Sequence, residues 1–331
     1  MCGFFLFILI LKKKGMIYRV ISELQLDQTI TGFFAVKSVM NKDTRDQKKK
    51  YLDLTLVDAS GEINAKVWDI AEVIIGENPE LGDVIKVEAV VQEYKGSLQL
   101  KVNKLRKATE TDVYEAQTVI PSAPTSPDRM WAILTRFAES ITDKQIHSAV
   151  AQVLQKYKNR LMYYPAAKAY HHSYQCGLLQ HITTMLIAGE KLSTVYSCNT
   201  DLLYAGIILH DIGKLHEFST DNTAIGTEYT VQGELLGHIA LGLVELESLN
   251  IQDAEKKLLL QHMILSHHDI PEWGSPKRPM TKEAELLQHL DLLDARMFDF
   301  EKAAAQPGTI SGYVRSLERK VYCPVKEDIK L

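Results

Sequence analysis

A chain of 331 residues is long enough for about two domains. At 46% hydrophobic and 24% charged it can bury a real core, which excludes a disordered or low-complexity protein, and its net charge of −4 lacks the basic excess that advertises nucleic acid. Cys2, Cys176, Cys198 and Cys323 are far apart and form no CxxC, which excludes a disulfide framework or a zinc knuckle and reads as reduced thiols in a cytoplasmic protein.

Residues 1–15 begin with the apolar run "CGFFLFILIL", followed by Lys12 to Lys14. A spanning helix needs about 20 apolar residues, and a signal peptide carries its positive charges before the apolar run. The segment reads as a non-native start, with Met16 the first residue, or as a weak membrane-surface anchor; no stable membrane association is expected. From 16 to 108, 14 Lys and Arg balance 14 Asp and Glu, whereas 109–331 carry 21 against 28. Such an acidic half can still bind phosphates if metal ions supply the positive charge.

Residues 16–108 read as strands. The segments "TITGFFAVKSV" and "YLDLTLVD" come first, the latter with Leu52, Leu54 and Leu56 on one face. In "EINAKVW", Ile63, Ala65 and Val67 point inward while Lys66 and Trp68 share the opposite face. A short helical stretch near 70–76 follows, then "DVIKVEAVVQEY" and "SLQLKVNKL" joined at Lys95-Gly96. Period-two alternation with tight turns argues a small β-barrel. Five strands with a helix between the third and fourth look like an OB-fold, whose open face often holds single-stranded nucleic acid. Trp68 beside Lys66 offers a base-stacking platform. Lys48, Lys49 and Lys50, with Lys101, Lys104, Arg106 and Lys107, can track phosphates; alternatively the lysines are a solvated loop and Trp68 covers the barrel mouth.

Residues 109–125 have the polar and proline content of a linker. Ser126-Pro127 reads as an N-cap with proline at the first helical position, and 126–331 then read as helical throughout. Periodic apolar segments cover about 128–140, 143–160, 174–195, 201–210, 233–248, 253–268 and 282–297.

Of the eleven histidines, none precedes His147, and ten lie between His171 and His289. His181 ("GLLQHITTML"), His210 ("AGIILHDIGK"), His238 ("GELLGHIALG") and His267-His268 ("HMILSHHDI") fall within or at the ends of apolar helices, as do Asp291 and Asp294 in "LLQHLDLLDARM". Buried imidazoles and carboxylates cost energy unless paired or bound to metal, and a shared metal centre in a helical bundle satisfies them together. A ligand set without thiolate favours manganese, iron, cobalt, nickel or zinc at a catalytic site over a structural zinc, and the number of positions suits two ions that clamp a phosphoryl group. His147, His216, His262 and His289 read as structural.

The ordered series His181, His210-Asp211, His238, His267-His268, Asp291 resembles the HD-domain phosphohydrolase superfamily. With an OB-fold in front, and "HHSYQCGLLQH" at 171–181 just after "YYPAAKAY", the chain resembles the YhaM family of 3′→5′ exoribonucleases over about 17 to 325. The resemblance implies a multi-domain protein, a small all-β OB-fold barrel followed by an all-α HD-domain helical bundle. It implies that His181, His210, Asp211 and Asp291 hold a first metal, with Asp211 bridging to a second held by His238, His267 and His268. Asp294 would orient a ligand, and Lys214 would place its ammonium near the scissile phosphate unless it is an exposed loop lysine. His171 and His172 would touch substrate or cap the helix that follows.

The expected activity is release of nucleoside 5′-monophosphates from single-stranded RNA, or single-stranded DNA, by metal-activated water. The expected cofactor is manganese, with cobalt or another transition ion as the alternative, one or two ions per chain. A homo-oligomer stays open. Competing readings are a nucleotide or cyclic-nucleotide phosphohydrolase, and a single-stranded DNA-binding protein with a structural HD domain.

Overall fold

The computed structural model describes residues 20–44, 49–168, 173–220, 223–303 and 307–325. The expectations for residues 1–15, Lys48, His171 and His172 lie outside the described residues. The chain forms two compact units, one of residues up to Ser122 with Thr223–Gly226, the other of the remainder.

The first unit is a closed barrel. Its strands are β1 (Thr29–Asp43), β2 (Lys50–Asp58), β3 (Gly61–Val67), β4 (Val84–Tyr94) and β5 (Ser97–Lys107), with the single turn α1 (Ile70–Val73) between β3 and β4. The order around the barrel is β1-β2-β3-β5-β4, with β4 returning to β1; the β3–β5 pair is parallel and the others antiparallel. This is an OB-fold. β1 serves both β4 and β2 because its register shifts between Val36 and Ser38, a bulge that bends the strand around the closure. Alternation puts Leu52, Leu54, Leu56, Ile63, Ala65 and Val67 inside, with Phe34, Ile85, Val87 and Leu100 from the other strands. Burying each large side chain contributes about 1.5–3 kcal/mol. The polar stretch after β5 is more ordered than a free linker: Asp112 accepts two hydrogen bonds from the Arg106 guanidinium, at 2.6 and 2.7 Å, and Val119 is buried beside Phe33, Ala35 and Val57.

The second unit is mainly helical: α2 (Pro127–Ser140), α3 (Lys144–Leu161), α4 (Gly177–Ser193), α5 (Thr200–Leu209), the single turn α6 (Lys214–Glu217), α7 (Val231–Glu247), α8 (Ala254–Ser266) and α9 (Lys282–Lys302). The Ser126 side chain accepts from the Arg129 N–H and Pro127 opens α2, as the sequence anticipates. The helix α5 is central, packing on α2, α3, α4, α8 and α9. Every residue from Leu202 to Leu209 is buried, so beyond Thr200 and Asp201 no face of α5 meets water. The expectation of helix throughout is corrected by two hairpins. β6 (Phe218–Ser219) pairs with β7 (Glu228–Tyr229), and β8 (Thr309–Val314) pairs with β9 (Arg319–Cys323). Two-residue strands are too short to show a period, and β8 has no buried row to alternate. Among the described residues no helix is long and apolar enough to cross a membrane.

Candidate metal centre

The side chains of interest come from the ends and middles of four helices around α5. His181 sits in the second turn of α4, a helix buried on most of its circumference, and is itself fully buried. His210 is the C-cap of α5. There the carbonyls at the helix end lack intrahelical partners. The His210 Nδ1 takes one of them, donating to the Ile207 carbonyl at 2.8 Å. His267, the C-cap of α8, repeats the device by donating to the Ile264 carbonyl at 2.7 Å. His268 Nδ1 donates to the Trp273 carbonyl at 2.6 Å. A carbonyl only accepts, so each of these rings carries its proton on Nδ1 and presents the lone pair of Nε2.

The other two rings are turned by carboxylates. Asp294 Oδ2 lies 2.7 Å from His181 Nδ1, and Glu217 Oε1 lies 3.3 Å from His238 Nδ1. Glu217 also accepts the His238 backbone N–H at 3.0 Å. That N–H is free because α7 breaks at Gly237, where φ 68 and ψ 163 interrupt the helix and glycine alone is at ease. Glu217 carries no periodic signal that would have singled it out in the sequence.

Asp211 follows His210 in the turn between α5 and α6. Its Oδ2 lies 3.4 Å from His210 Nε2 and 3.7 Å from His181 Nε2, and its Oδ1 lies 3.6 Å from His238 Nε2 and 3.8 Å from His267 Nε2. Asp291 also faces both sides, with Oδ1 3.2 Å from His181 Nε2 and Oδ2 3.9 Å from His268 Nε2. Gly213 permits the approach of α7. Its φ is an ordinary −61, but a Cβ there would fall 1.9 Å from the His238 carbonyl oxygen. Glycine serves here for space.

Two groups of ligand atoms result, His181 with His210 and Asp211, and His238 with His267 and His268; within each, the atoms lie within 4.8 Å of one another. Ligands bound at about 2.0–2.2 Å to one cation stand about 3–3.5 Å apart, close to these spacings. Among the described residues, the buried His210 Nε2, His238 Nε2, His267 Nε2 and Asp211 Oδ1 have no hydrogen-bond partner. Lone pairs facing one another in a buried space are costly unless a cation lies among them. The donor set, imidazole and carboxylate without thiolate, fits a divalent transition ion.

The local charges agree. Burial alone would raise the Asp211 carboxyl, but the Lys214 ammonium and the His210 and His238 rings hold it well below the usual carboxylate range. Burial would likewise raise Asp291, which His181 holds down. Burial pushes His267 and His268 below the ordinary imidazole value and keeps them neutral, as metal ligands must be. His181 goes the other way: against burial, Asp291 and Asp294 raise it to about 10, a pull on positive charge at Nε2 that a cation can satisfy in place of a proton.

Lys214 is buried, with its Nζ 2.7 Å from Asp211 Oδ2, and lines a cavity of about 950 Å³ with Glu217, His238, His267, His268 and Asp291. Of the residues expected to be structural, His216 Nε2 lies 2.9 Å from the Tyr157 hydroxyl and His262 Nε2 accepts the Met280 N–H at 2.8 Å.

On the barrel, Trp68 is 44% exposed and packs on Tyr51 with ring centroids 4.6 Å apart. Lys66, expected beside Trp68 on the nucleic-acid face, is mostly covered and lies 2.6 Å from Asp53 Oδ1. Lys104 lies 3.7 Å from Glu88 and Lys49 4.0 Å from Asp69, while Lys50 and Lys101 are exposed without a carboxylate partner among the described residues.

Fold and site together define a metal-dependent phosphohydrolase domain joined to an OB-fold nucleic-acid-binding domain. Residues 170–296 match the family model of the HD domain, and residues 36–108 match that of an OB-fold nucleic acid binding domain. Among solved structures, the chain is similar to a crystal structure of a domain of replication protein A from Methanococcus maripaludis. The identity is 22%, over 28% of this chain and 94% of that one, with a TM-score of 0.23. It is also similar to the solution structure of the second OB-fold domain of that protein, at 20% identity over 30% of this chain and 100% of that one, with a TM-score of 0.22.

Proposed function

We propose that the protein is a 3′→5′ exoribonuclease, of the kind the YhaM-like motif series implies, that removes nucleoside 5′-monophosphates from single-stranded RNA with manganese as its preferred ion. The observation that carries this reading is Asp211, whose two oxygens face two separate groups of imidazoles. In this reading His181, His210, Asp211 and Asp291 would hold one ion, and His238, His267 and His268, with Asp211 between the groups, would hold another. Bound there, divalent ions supply Lewis-acid charge and lower the pKa of water.

The chain's own residues do the rest. Asp294 and Glu217 hold the His181 and His238 rings with Nε2 inward. Lys214 neutralises charge on the phosphoryl oxygens from the cavity wall, a stabilisation that grows as charge develops in the transition state. Residues 16–108 hold the strand, 109–125 join the halves, and 126–331 carry the chemistry. Trp68 stacks a base, and Lys50 and Lys101 meet phosphates. A cytoplasmic location accords with Cys176, Cys198 and Cys323 as free thiols.

The test is incubation of the protein with 5′-labelled single-stranded RNA and manganese. A ladder shortened from the 3′ end, with nucleoside 5′-monophosphates released, supports the reading. Intact RNA beside hydrolysed mononucleotides replaces it with a nucleotide phosphohydrolase, which a cavity of about 950 Å³ also accommodates.

A further inference from the structure

The cavity that reaches the metal ligands extends to walls that the motif series does not mention. At about 950 Å³ it lies at the upper end of the range of roughly 300–1,000 Å³ for small-molecule pockets. Arg296 and Arg315 line it, together with the aromatic side chains of Tyr229 and Trp273. Arg296 stands five residues after Asp291 on α9 and is half-buried. Arg315 opens the single turn Arg315–Leu317 between β8 and β9, which the buried Leu317 anchors. The β8–β9 hairpin, which the sequence reads as helix, therefore supplies part of the wall.

Elsewhere this chain pairs structural arginines, Arg106 with Asp112 and Arg160 with the Tyr164 hydroxyl at 2.7 Å. Among the described residues, Arg296 and Arg315 have neither an ion pair nor a side-chain hydrogen bond. Asp299 and Glu318 line the same cavity but lie beyond 4.0 Å of either guanidinium. A guanidinium presents a planar fork of donors that matches phosphate bidentately. Trp273 is 53% exposed and Tyr229 42% exposed, flat surfaces of the kind on which bases stack. The Trp273 carbonyl orients His268, so this aromatic wall adjoins the metal ligands.

We propose that Arg296 and Arg315 clamp the internucleotide phosphate on the 5′ side of the scissile one, while Trp273 and Tyr229 flank the bases of the 3′-terminal nucleotides. The clamp rests on the exonuclease reading and adds to it the residues that position the strand. Neither arginine lies within 4.0 Å of Asp211 or Asp291, so their effect is on strand position and not on the ligand set.

The test uses full-length protein loaded with manganese, in wild-type form and as Arg296→Ala, Arg315→Ala and the corresponding lysine variants. Each alanine change should raise KM for a single-stranded oligoribonucleotide roughly tenfold, the scale of one hydrogen bond to a charged group, and leave kcat within about twofold. Lysine should restore part of the loss. The penalty should shrink for a dinucleotide, whose only internucleotide phosphate is the one being cut. Unchanged KM on the oligonucleotide, or an equal penalty on the dinucleotide with metal content intact, overturns the clamp. Failure of the underlying reading looks different: the wild-type protein itself then leaves the oligonucleotide whole, and the clamp falls with it.

Discussion

Lys214 Nζ lies 2.7 Å from Asp211 Oδ2, and both side chains are buried. Burial opposes each charge, yet each holds the other ionised: Asp211 raises Lys214 while Lys214 depresses Asp211. Removing one partner leaves the other as a buried uncompensated charge, which costs several kcal/mol in typical cases. A divalent ion held at this centre would compete with Lys214 for the Asp211 carboxylate and would free the lysine in part to meet an anionic substrate.

Asp211→Asn keeps the shape of the side chain and removes the charge. Turnover of single-stranded RNA should fall on the order of a hundredfold or more, with circular dichroism unchanged and bound metal reduced. Near-wild-type turnover with full metal content would take Asp211 out of the centre.

Chelation should abolish activity, and manganese should restore it better than magnesium, which prefers oxygen ligands. Because the ion binds the folded protein, thermal stability should rise with free manganese, by about 2.7 kcal/mol at a hundredfold excess over Kd. A melting temperature indifferent to manganese between zero and millimolar concentration argues against an ordered centre.

Asp294→Ala removes the group that orients His181 without touching a ligand atom. Metal affinity should drop by about 10–100-fold while the oligonucleotide KM at saturating manganese stays close to the wild-type value. Isothermal titration with manganese reads the first quantity and steady-state kinetics the second.

Gly213→Ala places a methyl 1.9 Å from the His238 backbone oxygen, a contact with main chain that no rotamer change relieves. The helix α7 must move, carrying His238 away from Asp211. A destabilisation of about 1–3 kcal/mol is expected, with a loss of bound ion. Elemental analysis and thermal melting of the purified variant test both consequences.

In the barrel, Asp53 is buried among Lys42, Lys66 and Asn64. Burial alone would raise its carboxyl, but those three partners lower it from 3.8 to about 2. A depressed carboxylate stabilises the fold fully above its unfolded value and loses that contribution as pH falls through the folded one. Asp53→Asn should therefore cost about 1–2 kcal/mol at pH 7, discounted for the exposure of Lys42, with the gap to wild type closing between about pH 4 and pH 2. Urea titrations followed at the β2 amides by NMR would show whether the gap closes.

Much of this protein was legible in its sequence. Alternation in 52–56 and 63–67 set the inward faces of β2 and β3, because a strand with one buried face must repeat every two residues. The apolar runs around His181, His210 and His267 marked buried helices, and an imidazole in such a run needs a partner. That Asp294 shares a face with Asp291 was legible, because three residues along a helix return nearly to the same face; that it meets the His181 ring was not. What only the tertiary structure decided is which distant groups meet. Glu217 reaches His238 because α7 breaks at Gly237, and two helix ends lend their unpaired carbonyls to His210 and His267. Lys66 reads as a neighbour of Trp68 on the polar face of one strand and is an ion-pair partner once β2 is beside it. Arg296 and Arg315 share a cavity because the turn between β8 and β9 folds back beside α9. Periodicity records how one element meets its surroundings on average; the identity of a partner from another element is fixed by packing, and no local pattern encodes it.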